Sequence, residues 1–136
     1  LLDIDHFKSI NDRFGHQTGD RILEDFVKRL QPLVRRTDCF GRVGGEEFAL
    51  VLPNTAAQEA QLIVEKMLAL VRLNRPLPER PDFFYTFSAG VAAVAPGDTL
   101  TDLYGRADKA MYLAKVSGRN RIEINVSQRN RSSATM

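Results

Sequence analysis

Acidic residues close one short apolar run and precede another. Asp3 and Asp5 end the stretch Leu1-Leu2-Asp3-Ile4-Asp5, and Glu46 and Glu47 follow Gly44-Gly45 in Arg42-Val43-Gly44-Gly45-Glu46-Glu47-Phe48. Side chains alternate in an extended chain, so Asp3 and Asp5 share a face while Glu46 and Glu47 point to opposite ones. The glycine pair between two apolar runs predicts a tight hairpin, because a two-residue connection needs positive φ where a Cβ would clash. Both glutamates then stand just past the turn. Acidic oxygens from two strands suit a hard divalent cation such as Mg²⁺, which takes one or two carboxylates together with substrate phosphates. A solvated hairpin with flanking glutamates is the bland alternative, and the acids of the opening strand argue against it.

The elements that must hold these acids are legible in the spacing. Phe7, Ile10 and Phe14 predict a short amphipathic helix over about 6–14, closed by Gly15, with Asp5 as its cap. Where a strand runs into a helix, unpaired N–H groups and the helix dipole favour a bound phosphate, and Lys8 adds a cation beside them. A solvated lysine is the ordinary alternative. The stripe Ile22, Leu23, Phe26, Val27, Leu30, Leu33 and Val34 predicts a second helix, with Asp20 at its N-cap and Pro32 shortening its last turn. Asn54 or Thr55, with Gln58 completing a capping box, opens a third, whose buried face is Ala60, Ile63, Val64, Met67, Leu70 and Val71. Prolines within 75–82 mark an irregular connection, and 83–94 reads as a long strand in which Gly90 marks a bulge or a close backbone approach. Thr101 opens the last helix, with Leu103, Ala107, Ala110, Met111 and Ala114 on one face. Ile122, Ile124 and Val126 alternate as an edge strand, and 127–136 is a polar tail expected to be disordered. The order contains a βαββαβ core, so an α+β fold with an antiparallel-rich sheet flanked by helices is expected.

At 136 residues and 43% hydrophobic content the chain is one domain with a real core. A formal charge of +2 is too weak to argue for a nucleic-acid polymer as partner. The single cysteine, Cys39, excludes an internal disulfide and a cysteine metal cluster, fits a reducing compartment, and is expected to be buried. No apolar run approaches the roughly 20 residues of a membrane span. No membrane contact from this segment and a cytoplasmic location are therefore expected.

Several motifs agree in order: Leu2-Asp3-Ile4-Asp5-His6-Phe7-Lys8, Asn11-Asp12, Gly15-His16, Gly19-Asp20, the Gly-Gly-Glu-Glu-Phe hairpin, Ser88-Ala89-Gly90-Val91-Ala92, and Ala107 to Lys115 followed by Ser117-Gly118-Arg119-Asn120. Together they resemble the GGDEF family of diguanylate cyclases, from Leu1 to about Ile124, with a specificity no single motif carries. The resemblance implies a palm-like, nucleotidyl cyclase-like fold in a catalytic domain over 1–126. The family's usual front segment, often preceded by a sensory or membrane region, lies outside the chain, and inner-membrane tethering through such a region is compatible with the cytoplasmic expectation.

The activity implied is condensation of two GTP into cyclic di-GMP and pyrophosphate across a homodimer. Asp3, the Ile4 carbonyl and Glu46 would bind Mg²⁺, or alternatively Mn²⁺, with Glu47 in support. Glu46 is also the implied base, and Lys8 holds the triphosphate and stabilises developing charge. Asn11, His16 and Asp20 correspond to residues that recognise guanine and nearby parts of the nucleotide; a turn residue, a surface histidine and a helix cap are their ordinary alternatives. Lys115 and Arg119 correspond to triphosphate contacts. Arg35 and Asp38 form an Arg-x-x-Asp element that in the family is a product-inhibition site for cyclic di-GMP, with a further cation for which Arg72 and Lys66 are candidates. The runner-up is a catalytically inactive module of the same family that senses GTP or cyclic di-GMP.

Overall fold

The apolar spacings resolve, in a computed structural model that describes residues 1–125, into β1 (Leu2–Ile4), α1 (Phe7–Phe14), α2 (His16–Leu30), β2 (Cys39–Gly44), β3 (Glu47–Val51), α3 (Ala57–Leu73), β4 (Phe87–Ala92), α4 (Leu100–Val116) and β5 (Ile122–Asn125). The strands form one sheet in the order β2-β3-β1-β4-β5. Among the described residues only the outer β4–β5 pair is parallel; the other three pairs are antiparallel. This is the α+β, antiparallel-rich arrangement expected, with β1 in the middle. Val126 and the tail 127–136 lie outside the described residues.

Alternation along β1 divides the chemistry of the two sheet faces. Leu2 and Ile4 face a core shared with Phe48, Phe87 and the apolar stripes of α1, α2 and α3. At its centre Phe26 lies 4.8 Å from the Phe48 ring and 5.5 Å, edge to face, from Phe87. Burying a side chain of this size contributes about 2–3 kcal/mol. Asp3 points the other way, and that face is covered by α4. Small residues make the approach possible: Ala107, Ala110 and Ala114 are buried on α4. On β4, a Cβ at Gly90 would overlap the Ala107 carbonyl oxygen and the Met111 amide. Gly90 therefore marks a close backbone approach.

Several local expectations shift. Gly15 both closes α1 and precedes α2, which begins at His16, so Asp20 lies inside a helix and caps nothing. His6, in the left-handed region at φ 58°, occupies the cap position assigned to Asp5. Pro32 falls in a 3-10 turn (Gln31–Leu33) that ends α2, as its missing N–H requires. Ala56 precedes α3 without a side-chain cap, because the Thr55 hydroxyl donates to the Pro53 carbonyl and accepts from Arg35. Leu68, in place of Leu70, completes the buried face of α3. The strand expected over 83–94 is only Phe87–Ala92. Thr99, two residues before the expected start, caps α4 in a full capping box with Asp102. Cys39 is exposed, since β2 is an edge strand.

Candidate active site

The central strand β1, which carries Asp3, lies directly beside β3, the strand that follows the hairpin turn. Asp3 is the cross-strand partner of Glu47. The Ile4 N–H donates to the Glu46 carbonyl at 3.2 Å, fastening the hairpin tip to β1. The turn itself is Gly45-Glu46, one residue later than the glycine pair suggested. Gly44 pairs with Glu47 after a register shift beyond Arg42, and Gly45 takes φ +49°. Glu46 thus projects from the turn and not from the strand after it. The Arg42 Nε–H donates to the Gly45 carbonyl at 2.6 Å and braces the turn.

Asp3 is only 7% exposed, and burial raises its carboxyl above the ordinary value of 3.8. The Lys115 ammonium, donating to Asp3 Oδ2 at 3.0 Å, pulls it back, and the charges of Glu46 and Glu47 push it up again. The Asp3 carboxylate thus feels the charges of Glu46 and Glu47 while the Lys115 ammonium donates to it. Among the described residues no three acidic, histidine or cysteine side chains are drawn together into a complete metal cage. A set of two carboxylates and a backbone carbonyl that leaves positions for phosphate oxygens fits Mg²⁺ better than such a cage does.

The raised carboxyl has a consequence for stability. An acid with a raised folded-state value favours folding most below its unfolded value, and that contribution is lost as pH rises through the folded value. At neutral pH the Asp3 charge opposes folding. Asp3→Asn should therefore melt at or above the wild-type temperature at pH 7 in chelator-treated buffer, read by circular dichroism. A clear fall in melting temperature would contradict this.

Sequence reading missed Tyr104. Its hydroxyl donates to Glu47 Oε1 at 2.7 Å, and that carboxylate pushes the phenol up to about 12. Tyr104 and Lys115 stand eleven residues, about three turns, apart on α4, so a common face was readable. Ser88 was also missed; it is fully buried against Asp5. Asp5, which shares the Asp3 face, accepts hydrogen bonds from Thr86, Ser88 and the Asn120 N–H and so is engaged away from any ion.

Lys8 is exposed in the first turn of α1. Asn11 packs against Gly19 of α2, where a Cβ would overlap its side-chain oxygen, and that buried oxygen has no hydrogen-bond partner. His16 and Asp20, one turn apart on α2, are exposed beside Gly19. The three residues expected to face a base thus border the α1–α2 junction. Arg119 is exposed just beyond α4, at φ +63°.

Arg35 and Asp38 stand in the connection leading to the edge strand β2. The Arg35 Nε–H and Nη2–H donate to the Asp38 carboxylate at 3.0 Å, and the Arg35 guanidinium holds that carboxyl below its ordinary range. Arg35 also reaches Thr55 Oγ1 at 2.8 Å, leaving guanidinium N–H groups to spare. Arg72 does not join them. It lies at the other end of α3, roughly 20 Å along the axis from the Thr55 end, and binds Asn120. Lys66 is two turns from Glu59, whose charge acts on Arg35, and shares its helix face.

The α+β sheet carries acids on its central strand and hairpin, with Lys115 of α4 across them. The family model described as "Diguanylate cyclase, GGDEF domain" matches residues 1–121, and the chain belongs to this family. It is 37% identical over 124 residues to the diguanylate cyclase DgcP of Pseudomonas aeruginosa, covering 91% of this chain but only 18% of that relative's length. Among solved structures, the active GGEEF domain of a diguanylate cyclase from Vibrio cholerae superposes with a TM-score of 0.85 at 38% identity, covering 93% of this chain and 80% of that one. The GGDEF domain of DgcB from Caulobacter crescentus, in complex with c-di-GMP, gives 0.84 at 35% identity, covering 93% and 75%. Among the described residues no helix is long and apolar enough to cross a membrane.

Proposed function

We propose that this domain condenses two GTP molecules into cyclic di-GMP. Each 3′-oxygen bonds to the α-phosphorus of the other nucleotide as the bond to the departing pyrophosphate breaks, and two pyrophosphates leave. The observation that carries the proposal is Asp3, bonded to Lys115 and raised by the charges of Glu46 and Glu47, on a chain carrying Gly-Gly-Glu-Glu-Phe. Asp3, the Ile4 carbonyl and Glu46, supported by Glu47, are the groups that would hold Mg²⁺ or Mn²⁺. When bound, that ion supplies charge neutralisation at the α-phosphoryl group.

The remaining steps belong to this chain's own groups. Glu46, projecting from the turn, accepts the proton of the 3′-hydroxyl. Lys8, Lys115 and Arg119 bind the triphosphate and stabilise charge as it moves to the leaving group. Asn11 and Asp20 present an acceptor and a carboxylate to the N1–H and amine that guanine has and adenine lacks; His16 lies at their edge. One domain presents one α-phosphate, so two domains must face each other, and turnover requires a homodimer.

The test is incubation of the full-length protein with GTP and Mg²⁺ and detection of product by mass spectrometry. Cyclic di-GMP is expected; GTP binding without product would support the sensor reading instead. For feedback, Arg35→Ala should raise the cyclic di-GMP concentration needed for half-inhibition by about tenfold or more, as loss of a charge-assisted contact implies. An unchanged inhibition curve would remove Arg35 and Asp38 from the inhibitory site.

A further inference from the structure

Of the two acids of the opening strand, Asp5 is the one that the proposed chemistry leaves unused. It is 5% exposed, and its carboxylate is filled by donors from two places. Oδ1 accepts from Ser88 Oγ at 2.6 Å, while Oδ2 accepts from Thr86 Oγ1 at 2.7 Å and from the Asn120 backbone N–H at 3.0 Å. The first two partners flank the same sheet position. The third crosses to the connection between α4 and β5.

That connection is held in an uncommon shape. Gly118, Arg119 and Asn120 take φ values of +122°, +63° and +52° in succession. Two consecutive L-residues in the left-handed region persist only where surrounding contacts over-determine them. Here the contacts are identifiable. The Arg119 N–H donates to the Ala114 carbonyl at 2.9 Å, ending α4. Asn120 is gripped from inside by Asp5 and from outside by Arg72, whose Nε–H donates to Asn120 Oδ1 at 2.7 Å and whose Nη2–H donates to the Asn120 carbonyl at 3.0 Å. Between those grips and the end of α4 stands Arg119, exposed and without any other anchor among the described residues.

We propose that Asp5 is a positioning residue that aims Arg119 at the nucleotide's phosphates, with Arg72 as its outer counterpart. The aspartates of the opening strand then divide two tasks: Asp3 faces the ion and Asp5 sets the cation-bearing connection. The inference rests on reading Arg119 as a triphosphate ligand, and the experiment separates the two.

Affinities of the full-length protein for GTP and for GMP are measured by competition for Asp5→Ala, Asp5→Asn, Arg72→Ala and Arg119→Ala. Asp5→Ala should weaken GTP about tenfold, as misplacing one binding group does, and leave GMP within about twofold. Asp5→Asn should restore most of the loss, because its one oxygen can still accept from the Asn120 N–H while the Ser88 hydroxyl reverses to accept from the amide. Arg72→Ala lies on the surface and gives the same selective loss even if Asp5→Ala does not fold. In an Arg119→Ala background neither change should cost anything further.

If Arg119→Ala weakens GTP but Arg72→Ala and Asp5→Ala do not, or if they weaken GTP and GMP equally, the positioning role is overturned while Arg119 keeps its own. If Arg119→Ala leaves GTP binding intact, the ligand reading falls and takes the positioning role with it.

Discussion

Glu46→Gln should reduce GTP turnover by roughly a thousandfold or more while the melting temperature stays within about two degrees of wild type. Glutamine keeps the length and one acceptor oxygen but loses the charge and the basicity, so both the proton acceptor and an ion ligand disappear together; each role alone is worth about 10²–10³ in rate. Stability is spared because Glu46 projects from a turn and is half-exposed. What fastens the turn is the Glu46 backbone carbonyl, which accepts from Ile4 and is unaffected by the substitution. Retained turnover in a steady-state assay of pyrophosphate release would remove Glu46 from the chemistry.

Gly90→Val should have the largest effect on stability. Any side chain at this position meets the Ala107 carbonyl and the Met111 amide, which are backbone and cannot swing aside. Overpacking of this kind costs about 3 kcal/mol or more, a large part of a domain's stability. Because α4 also brings Lys115 to Asp3 and Tyr104 to Glu47, its displacement should impair activity before the fold melts. Gly105 provides the control. It lies in the same helix with open space around it, so Gly105→Ala should stabilise by about 0.5–1 kcal/mol. Urea denaturation distinguishes the two, and equal midpoints would show that α4 does not pack through Gly90.

The order of elements was legible because each helix carries an apolar stripe at helical spacing that the strand runs between them lack. The hairpin itself was legible too, since two glycines between apolar runs mark a turn, and β3 after it pairs Glu47 with Asp3. What sequence could not show are contacts between distant positions. Asp5 reads as a helix cap because it follows a strand and precedes a helix, yet its partners lie 81, 83 and 115 residues away. Cys39 reads as buried by residue type, and only the strand order places it on an edge. The hairpin turn slid by one residue because a register shift beyond Arg42 absorbs Gly44 into the strand. By contrast, the Thr99 cap was readable, as Asp102 stands three residues after it in a capping-box pattern that Thr101 cannot form.

Under the proposed function, Asp3 and Glu46 grip one divalent ion together with a guanosine triphosphate. Mn²⁺ binding followed by electron paramagnetic resonance, with GTP present, addresses it directly in the wild type, Asp3→Asn and Glu46→Gln. One ion per domain is expected in the wild type, with each single variant losing most of the affinity and the double variant little worse than either. Undiminished Mn²⁺ binding in either single variant would contradict a shared site.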